Sequence, residues 1–239
     1  MADPAVPGPR GPDPVPAPNG PSGLVLGIDT STTVNVGLAR DGEVIGQATV
    51  PDRMAHVEQL TPLVRQVLGT AGLTLDDLDH LVVGLGPGPF TGLRVGIATA
   101  RVLASVHGIP LRGVCSLDVF AVEYARERPA DEFLVTTDAR RKEVYWGRYR
   151  SDGHRIDGPR VSSPDEVPRL PAVGPGADLY SERLEAVLGP RVLDPGVLAA
   201  VGLDLPDAGT QPLYLRRPDA ATPTRRKSVL TWRVDPSVR

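Results

Sequence analysis

Hydrophobic positions along this chain follow two rhythms, and the places where one gives way to the other divide it into elements. Residues 23–29, "GLVLGID", form a short unbroken apolar run closed by an acid, which predicts a buried strand. Residues 33–50 alternate apolar and polar side chains about Asp41-Gly42, the strongest short hairpin signal. Three strands in antiparallel order therefore open the fold. Over 56–72 the apolar residues Val57, Leu60, Val64, Val67 and Leu68 recur at helical spacing, and Gly69 and Gly72 lie near the end. Pro62 sits within the first two turns, where it costs less than deep in a helix. A buried strand at 79–86, a helix at 91–107, a strand at 110–115 and a helix at 116–128 with Ser116 as its N-cap follow.

The order to this point is β-β-β-α-β-α-β-α, and a reduced version then restarts. Residues 132–139 and 143–150 predict two strands, and "SDGHR" turns into a third. A helix near 164–169, a strand at 170–174 and a helix at 178–188 complete the series. No letter-level repeat is evident, although the order of elements recurs. Strands separated by helices require a mostly parallel second half to each sheet, with helices on both faces. The chain thus divides into a Pro-rich extension at 1–21, a full lobe at 22–128, a smaller lobe at 129–216 and a basic tail at 217–239.

Composition adds boundaries. Of 239 residues, 41% are hydrophobic and 23% charged, as expected of a water-soluble globular chain long enough for one or two cores. Much of the excess proline lies in residues 1–21, which cannot support a core and read as disordered or polyproline-like. That stretch also lacks the apolar segment of a signal peptide. A net charge of −3 gives no general attraction to nucleic acid or membrane, and no apolar run approaches the roughly 20 residues of a membrane span. One cysteine, Cys115, rules out an internal disulfide framework and suits a reducing cytoplasm. Arg225, Arg226 and Lys227 make the tail basic, and a solubilising role is its simplest reading.

Candidate chemistry concentrates in "VVGLGPGPFTGLRVGIATARVLASV", residues 82–106. Glycines ahead of a helix N-terminus can cradle an anion. Yet no Lys-Ser/Thr pair follows, the spacing is not Gly-x-Gly-x-x-Gly, and Pro87 and Pro89 lack amide donors. A structural loop is therefore favoured. Beyond it, Gly92, Gly96, Ala100 and Ala104 recur every four residues as a small-residue stripe, flanked by Leu93, Ile97, Arg101 and Val102. Two glycines inside a helix cost roughly 1 kcal/mol each relative to Ala, so another backbone must approach closely. That backbone belongs either to the chain's own sheet or to a partner helix. Asp29, Ser31 and Thr32 form a weak phosphate-loop candidate, with Ser31 where a glycine would allow closer approach. The four histidines, at 56, 80, 107 and 154, show no His-x-x-x-His pair, and His56 reads as a cap or surface residue. There is no Gly-x-Ser-x-Gly elbow, which excludes a serine-hydrolase motif. In 138–149, Asp138, Arg140, Arg141, Lys142, Glu143, Tyr145 and Trp146 suggest a hairpin, or a cleft surface for a partner or RNA.

"LGIDTST" resembles the first phosphate loop of the actin-like ATPase (ASKHA, RNase H-like) superfold. With "GLGPGPFTGLRVGIATARVLA", "TTDARRKEVYWG" and "QPLYLRRPDA", the chain resembles the TsaB (YeaZ) family over roughly residues 23–220. The likeness implies an α/β fold of two actin-like lobes, the C-terminal one reduced. It implies a non-catalytic, dimerising subunit in formation of N6-threonylcarbamoyladenosine at position 37 of tRNA. The implied partners are a metal-bearing TsaD-like paralogue, a TsaE-like ATPase, a second copy of the chain, and tRNA reached through the complex. The chain would hold no metal and no cofactor of its own, with ATP or ADP at a subunit interface left open. In the paralogue a His-x-x-x-His motif follows the small-residue helix; here Ser116 and Phe120 fall near those positions. In the family the helices at 56–68 and 91–107 form the dimer seam. This points to Leu60, Val64, Gly92, Leu93, Gly96, Ile97, Ala100, Arg101 and Ala104 as the partner interface. An autonomous small-molecule kinase or ATPase is the alternative, and a homodimeric binding protein with another target a third.

Overall fold

The computed structural model describes residues 23–50, 56–127, 129 and 131–216, so the expected extension at 1–21 and tail at 217–239 lie outside the described residues. The side chains of His56 and Val57 lie outside them as well. The first sheet holds β1 (Leu24–Asp29), β2 (Val34–Arg40), β3 (Glu43–Val50), β4 (His80–Gly84) and β5 (Leu111–Val114) in the order β3-β2-β1-β4-β5. β1 is antiparallel to β2 and parallel to β4, and each of its residues is buried, as its continuous apolar run requires. Asp41 and Gly42 both take positive φ, which is what a two-residue hairpin turn demands. α1 (His56–Thr70) and α2 (Phe90–His107) lie on this sheet, and α2 ends at Gly108 in the left-handed region.

α3 (Ser116–Ala125) leads into the second sheet, made of β6 (Phe133–Asp138), β7 (Val144–Tyr149), β8 (Arg155–Ser162), β9 (Pro171–Val173) and β10 (Glu185–Ala186). Its order, β8-β7-β6-β9-β10, repeats the first sheet strand for strand, including the change from antiparallel to parallel pairing at the central strand. This duplicated α/β arrangement is the actin-like architecture expected from the sequence, and a three-residue β9 and a two-residue β10 make the second copy the reduced one. The duplication also reaches the letters. Gly86-Pro87-Gly88 follows β4, and Gly174-Pro175-Gly176 follows β9 at the equivalent place, with Gly86 and Gly174 both at positive φ.

Several expected elements differ. The helix expected at 164–169 is a single 3-10 turn, Pro164–Glu166, capped by Ser163. The helix expected at 178–188 is instead α4 (Pro175–Leu179) followed by β10, because Pro175 starts the helix earlier and Tyr180 leaves helical geometry. The sequence reading lacks α5 (Pro195–Val201), a seven-residue apolar helix capped by the Asp194 carboxylate on the amides of Gly196 and Val197. α5 packs on β1, β2 and β3, so the chain returns to the first sheet after building the second. Ser116 is not an N-cap either: Cys115 holds the cap position without a side-chain bond, and the Ser116 hydroxyl is engaged elsewhere.

The small-residue stripe faces inward. Gly92, Leu93, Gly96, Ile97, Ala100 and Ala104 are buried against the chain's own sheet, and Leu60 and Val64 share that core. A side chain at Gly96 would collide with Thr30 Oγ1, which itself donates 2.8 Å to the Gly92 carbonyl. What approaches the stripe at Gly96 is therefore the Thr30 side chain, carried by the chain's own β1–β2 loop, and not a second backbone. Of the expected interface residues only Arg101 is exposed.

Two predictions follow from this packing. Gly96→Leu should lower the melting temperature sharply, since overpacking costs about 1–3 kcal/mol or more; an unchanged melting curve would contradict the buried stripe. Glu123 on α3 is half-buried, its Oε2 lacks a hydrogen-bond partner among the described residues, and burial, then the nearby Asp194, raises its carboxyl from 4.5 to about 7. The folded protein then holds a proton that the unfolded chain releases, so stability falls as pH rises from about 4.5 through about 7. Glu123→Gln should therefore raise the melting temperature above neutral pH and change it little below pH 4.5, in thermal melts across that range.

Candidate functional site at the interlobe cleft

The carboxyl ends of β4 and β6 face one crevice, the usual ligand position in sheets of this kind, and the end of β1 is buried beside β4. Asp29 closes β1 and is fully buried. Its Oδ1 accepts from the Ser31 amide at 2.8 Å and the Ser31 hydroxyl at 2.7 Å. Its Oδ2 accepts from the Ser116 hydroxyl at 2.5 Å. Ser116 Oγ in turn accepts from the Gly86 amide at 3.0 Å, while the Ser116 amide donates to the Gly86 carbonyl at 2.8 Å. Burial pushes the Asp29 carboxyl up, and the bonds from Ser116 and Ser31 oppose that shift.

This network explains the glycine loop. A side chain at Gly84 would strike Asp29 Oδ2, and one at Gly88 would press on the Ser31 backbone at 2.6 Å. The loop is shaped to lie against residues 29–31. The glycine stretch, favoured from the sequence as a structural loop, thus packs on the phosphate-loop candidates Asp29 and Ser31. These residues do not fit a nucleotide phosphate: the Asp29 oxygens are taken, Ser31 is turned inward, and Pro87 and Pro89 offer no amide. Thr32 differs, being only partly buried, and its hydroxyl has no hydrogen-bond partner among the described residues.

What remains at the crevice is a cleft of about 290 Å³ between Gly88–Thr91 on one lobe and Asp138, Arg140, Arg141 and Tyr145 on the other. Arg140, Arg141 and Lys142 all take φ between +55° and +62°, a run that costs roughly 1–2 kcal/mol per residue for L side chains. The segment 213–216 straps the two lobes together here. Leu213 N–H donates to Leu85, Tyr214 packs its ring 4.7 Å from Phe90, and Arg94 Nε donates to the Tyr214 hydroxyl. Arg216 then bonds the Ala139 carbonyl at 2.9 Å and pairs with Glu143. Of the two readings of 138–149, the hairpin is formed, and Asp138, Arg140 and Tyr145 also line the cleft, whereas Val144 and Trp146 face a separate core.

A second surface lies on the outer side of α1 and α2. Thr61, Ala98, Thr99, Val102 and Leu103 line a shallow groove of about 300 Å³, and Val102 and Val106 are 60% and 73% exposed. The sequence did not separate these residues from the buried stripe one position away. Among the described residues no three His, Cys, Asp or Glu side chains gather into a metal-binding group, and no helix is long and apolar enough to cross a membrane.

The TsaD family model, tRNA N6-adenosine threonylcarbamoyltransferase, matches residues 48–192. An uncharacterized protein of Mycobacterium tuberculosis is 45% identical over 202 residues, 82% of this chain and 93% of that protein. The tRNA threonylcarbamoyladenosine biosynthesis protein TsaB of Escherichia coli is 38% identical over 133 residues, 55% of this chain and 57% of TsaB. The solved structure of YeaZ from Pseudomonas aeruginosa superposes with a TM-score of 0.68 at 27% identity, covering 81% of this chain and all of YeaZ. With the duplicated topology and the loop seated on Asp29, these matches place the chain in the TsaB (YeaZ) family.

Proposed function

We propose that the chain is a non-catalytic subunit that pairs with a TsaD-like paralogue in forming N6-threonylcarbamoyladenosine at position 37 of tRNA. The observation that carries this reading is the enclosure of Asp29. The acid that kinases of the superfold turn toward phosphate is here spent on Ser31 and Ser116. The family supports the reaction, since curated members in E. coli and Bacillus subtilis are named for threonylcarbamoyladenosine biosynthesis. A TsaE-like ATPase completes the assembly, tRNA is reached through it, and any ATP or ADP lies at a subunit junction rather than at Asp29. The assembly is cytoplasmic.

Docking uses the outer face of α1 and α2. Burying it against a matching pair of helices would supply much of the 1,200–2,000 Å² of a standard interface. The same face serves a homodimer or the heterodimer, and the two compete for it. On this face Val102 is the informative position, since it is exposed whereas Gly96 lies in the core.

Val102→Asp should leave the melting temperature within the range of ordinary surface changes, about 0.5 kcal/mol. It should also lower copurification with the coexpressed paralogue at least ten-fold, and reduce modified adenosine in a reconstituted reaction to the level found without this chain. Undiminished copurification would reject the docking face, and full modification in the chain's absence would reject the subunit role.

A further inference from the structure

A second cavity, of about 360 Å³, opens between β5, the first turns of α3 and the β7–β8 turn. Three separate parts of the chain build it: Arg112 on β5, Asp118 in the first turn of α3, and His154 and Arg155 at the β7–β8 turn. The segment after α5 closes it with Asp204, Leu205 and Pro206. Both sheets and the returning segment therefore contribute walls.

The charges inside are paired but not saturated. Asp118 is 3% exposed; its Oδ1 accepts from the Tyr149 hydroxyl at 2.9 Å and lies 3.5 Å from Arg155 Nε. Asp118 Oδ2, Arg155 Nη1 and Arg112 Nε have no hydrogen-bond partner among the described residues, although each atom is buried. Arg112 is held in place by its other end, where Nη2 donates 2.6 Å to the Leu205 carbonyl. Burial raises the Asp118 carboxyl, and Arg155, Tyr149 and His154 oppose that shift. Buried polar groups in native proteins are nearly always satisfied, and charged ones above all. Here an acceptor and two donors of opposite charge stand unsatisfied around one cavity.

We propose that this cavity binds a small zwitterion of the α-amino-acid class. The ligand's ammonium group meets Asp118 Oδ2, with Asp204 at the mouth. Its carboxylate meets Arg155 Nη1 and Arg112 Nε, and its side chain lies along Val122 and Leu205. A simple anion would leave Asp118 Oδ2 without a partner, and a simple cation would leave Arg155 Nη1 and Arg112 Nε so. Only a ligand bearing both charges completes the set. Because walls come from both lobes, occupancy would hold the lobes in one relative position. The proposal is independent of the subunit role.

The test is calorimetric titration of the full chain, near neutral pH, with the common L-α-amino acids and with the N-acetyl and carboxamide derivative of each. The expected result is saturable one-site binding of at least one amino acid. Binding should be lost when either charge is blocked, and weakened about ten-fold or more by Arg112→Gln. Failure of every amino acid to bind, equal binding of the blocked derivatives, or indifference to Arg112→Gln would each overturn it, leaving a hydrated ion-pair cluster. Should Arg112→Gln fail to fold, Val122→Phe, which narrows the cavity from its apolar side, takes its place. The derivative series on the unaltered protein decides the matter in any case.

Discussion

The Asp29 carboxylate holds the interlobe end of this molecule together. It is fully buried at the end of the central strand, and such a charge is tolerable only with its lone pairs occupied. Ser31 occupies one oxygen and Ser116 the other. Ser116 carries the constraint onward, since it exchanges two hydrogen bonds with Gly86 and begins α3. One acid therefore fixes the β1–β2 loop, the glycine loop and the start of the helix that leads to the second lobe. The glycines are needed because the loop lies directly on this network.

That constraint organises the surfaces. With Asp29 enclosed, the crevice retains a basic cleft strapped by residues 213–216, and the outer face of α1 and α2 is exposed. The fold is closed at Asp29 and exposed along the flank formed by α1 and α2. The proposed subunit role rests on this arrangement.

The first lobe was legible in the sequence because β1, β2 and β4 are almost wholly buried and its two long helices are amphipathic, so the change of period marks each boundary. The second lobe was less so: α4 has five residues and β10 two, too short for periodicity to register, and every described residue of α5 but Val201 is buried, leaving no polar face to give it rhythm. The stripe at Gly92, Gly96, Ala100 and Ala104 announced a close contact correctly but could not say with what. Spacing gives the size of a face, and only the fold supplies its neighbour. The Gly-Pro-Gly recurrence at 86–88 and 174–176 was a readable signal of the duplication that the sequence reading missed. Asp118, Tyr149, Arg155 and Arg112 stand on four different elements with no shared motif, so their convergence was visible only in the folded chain.

Native-state hydrogen exchange at the amides of Ser31 and Gly86, with and without magnesium ATP, tests the closed centre most directly. Both amides donate within the Asp29–Ser116 network. The account predicts that they exchange only through global unfolding and that nucleotide leaves their protection unchanged. Exchange through a local opening, or protection altered by magnesium ATP, would contradict it.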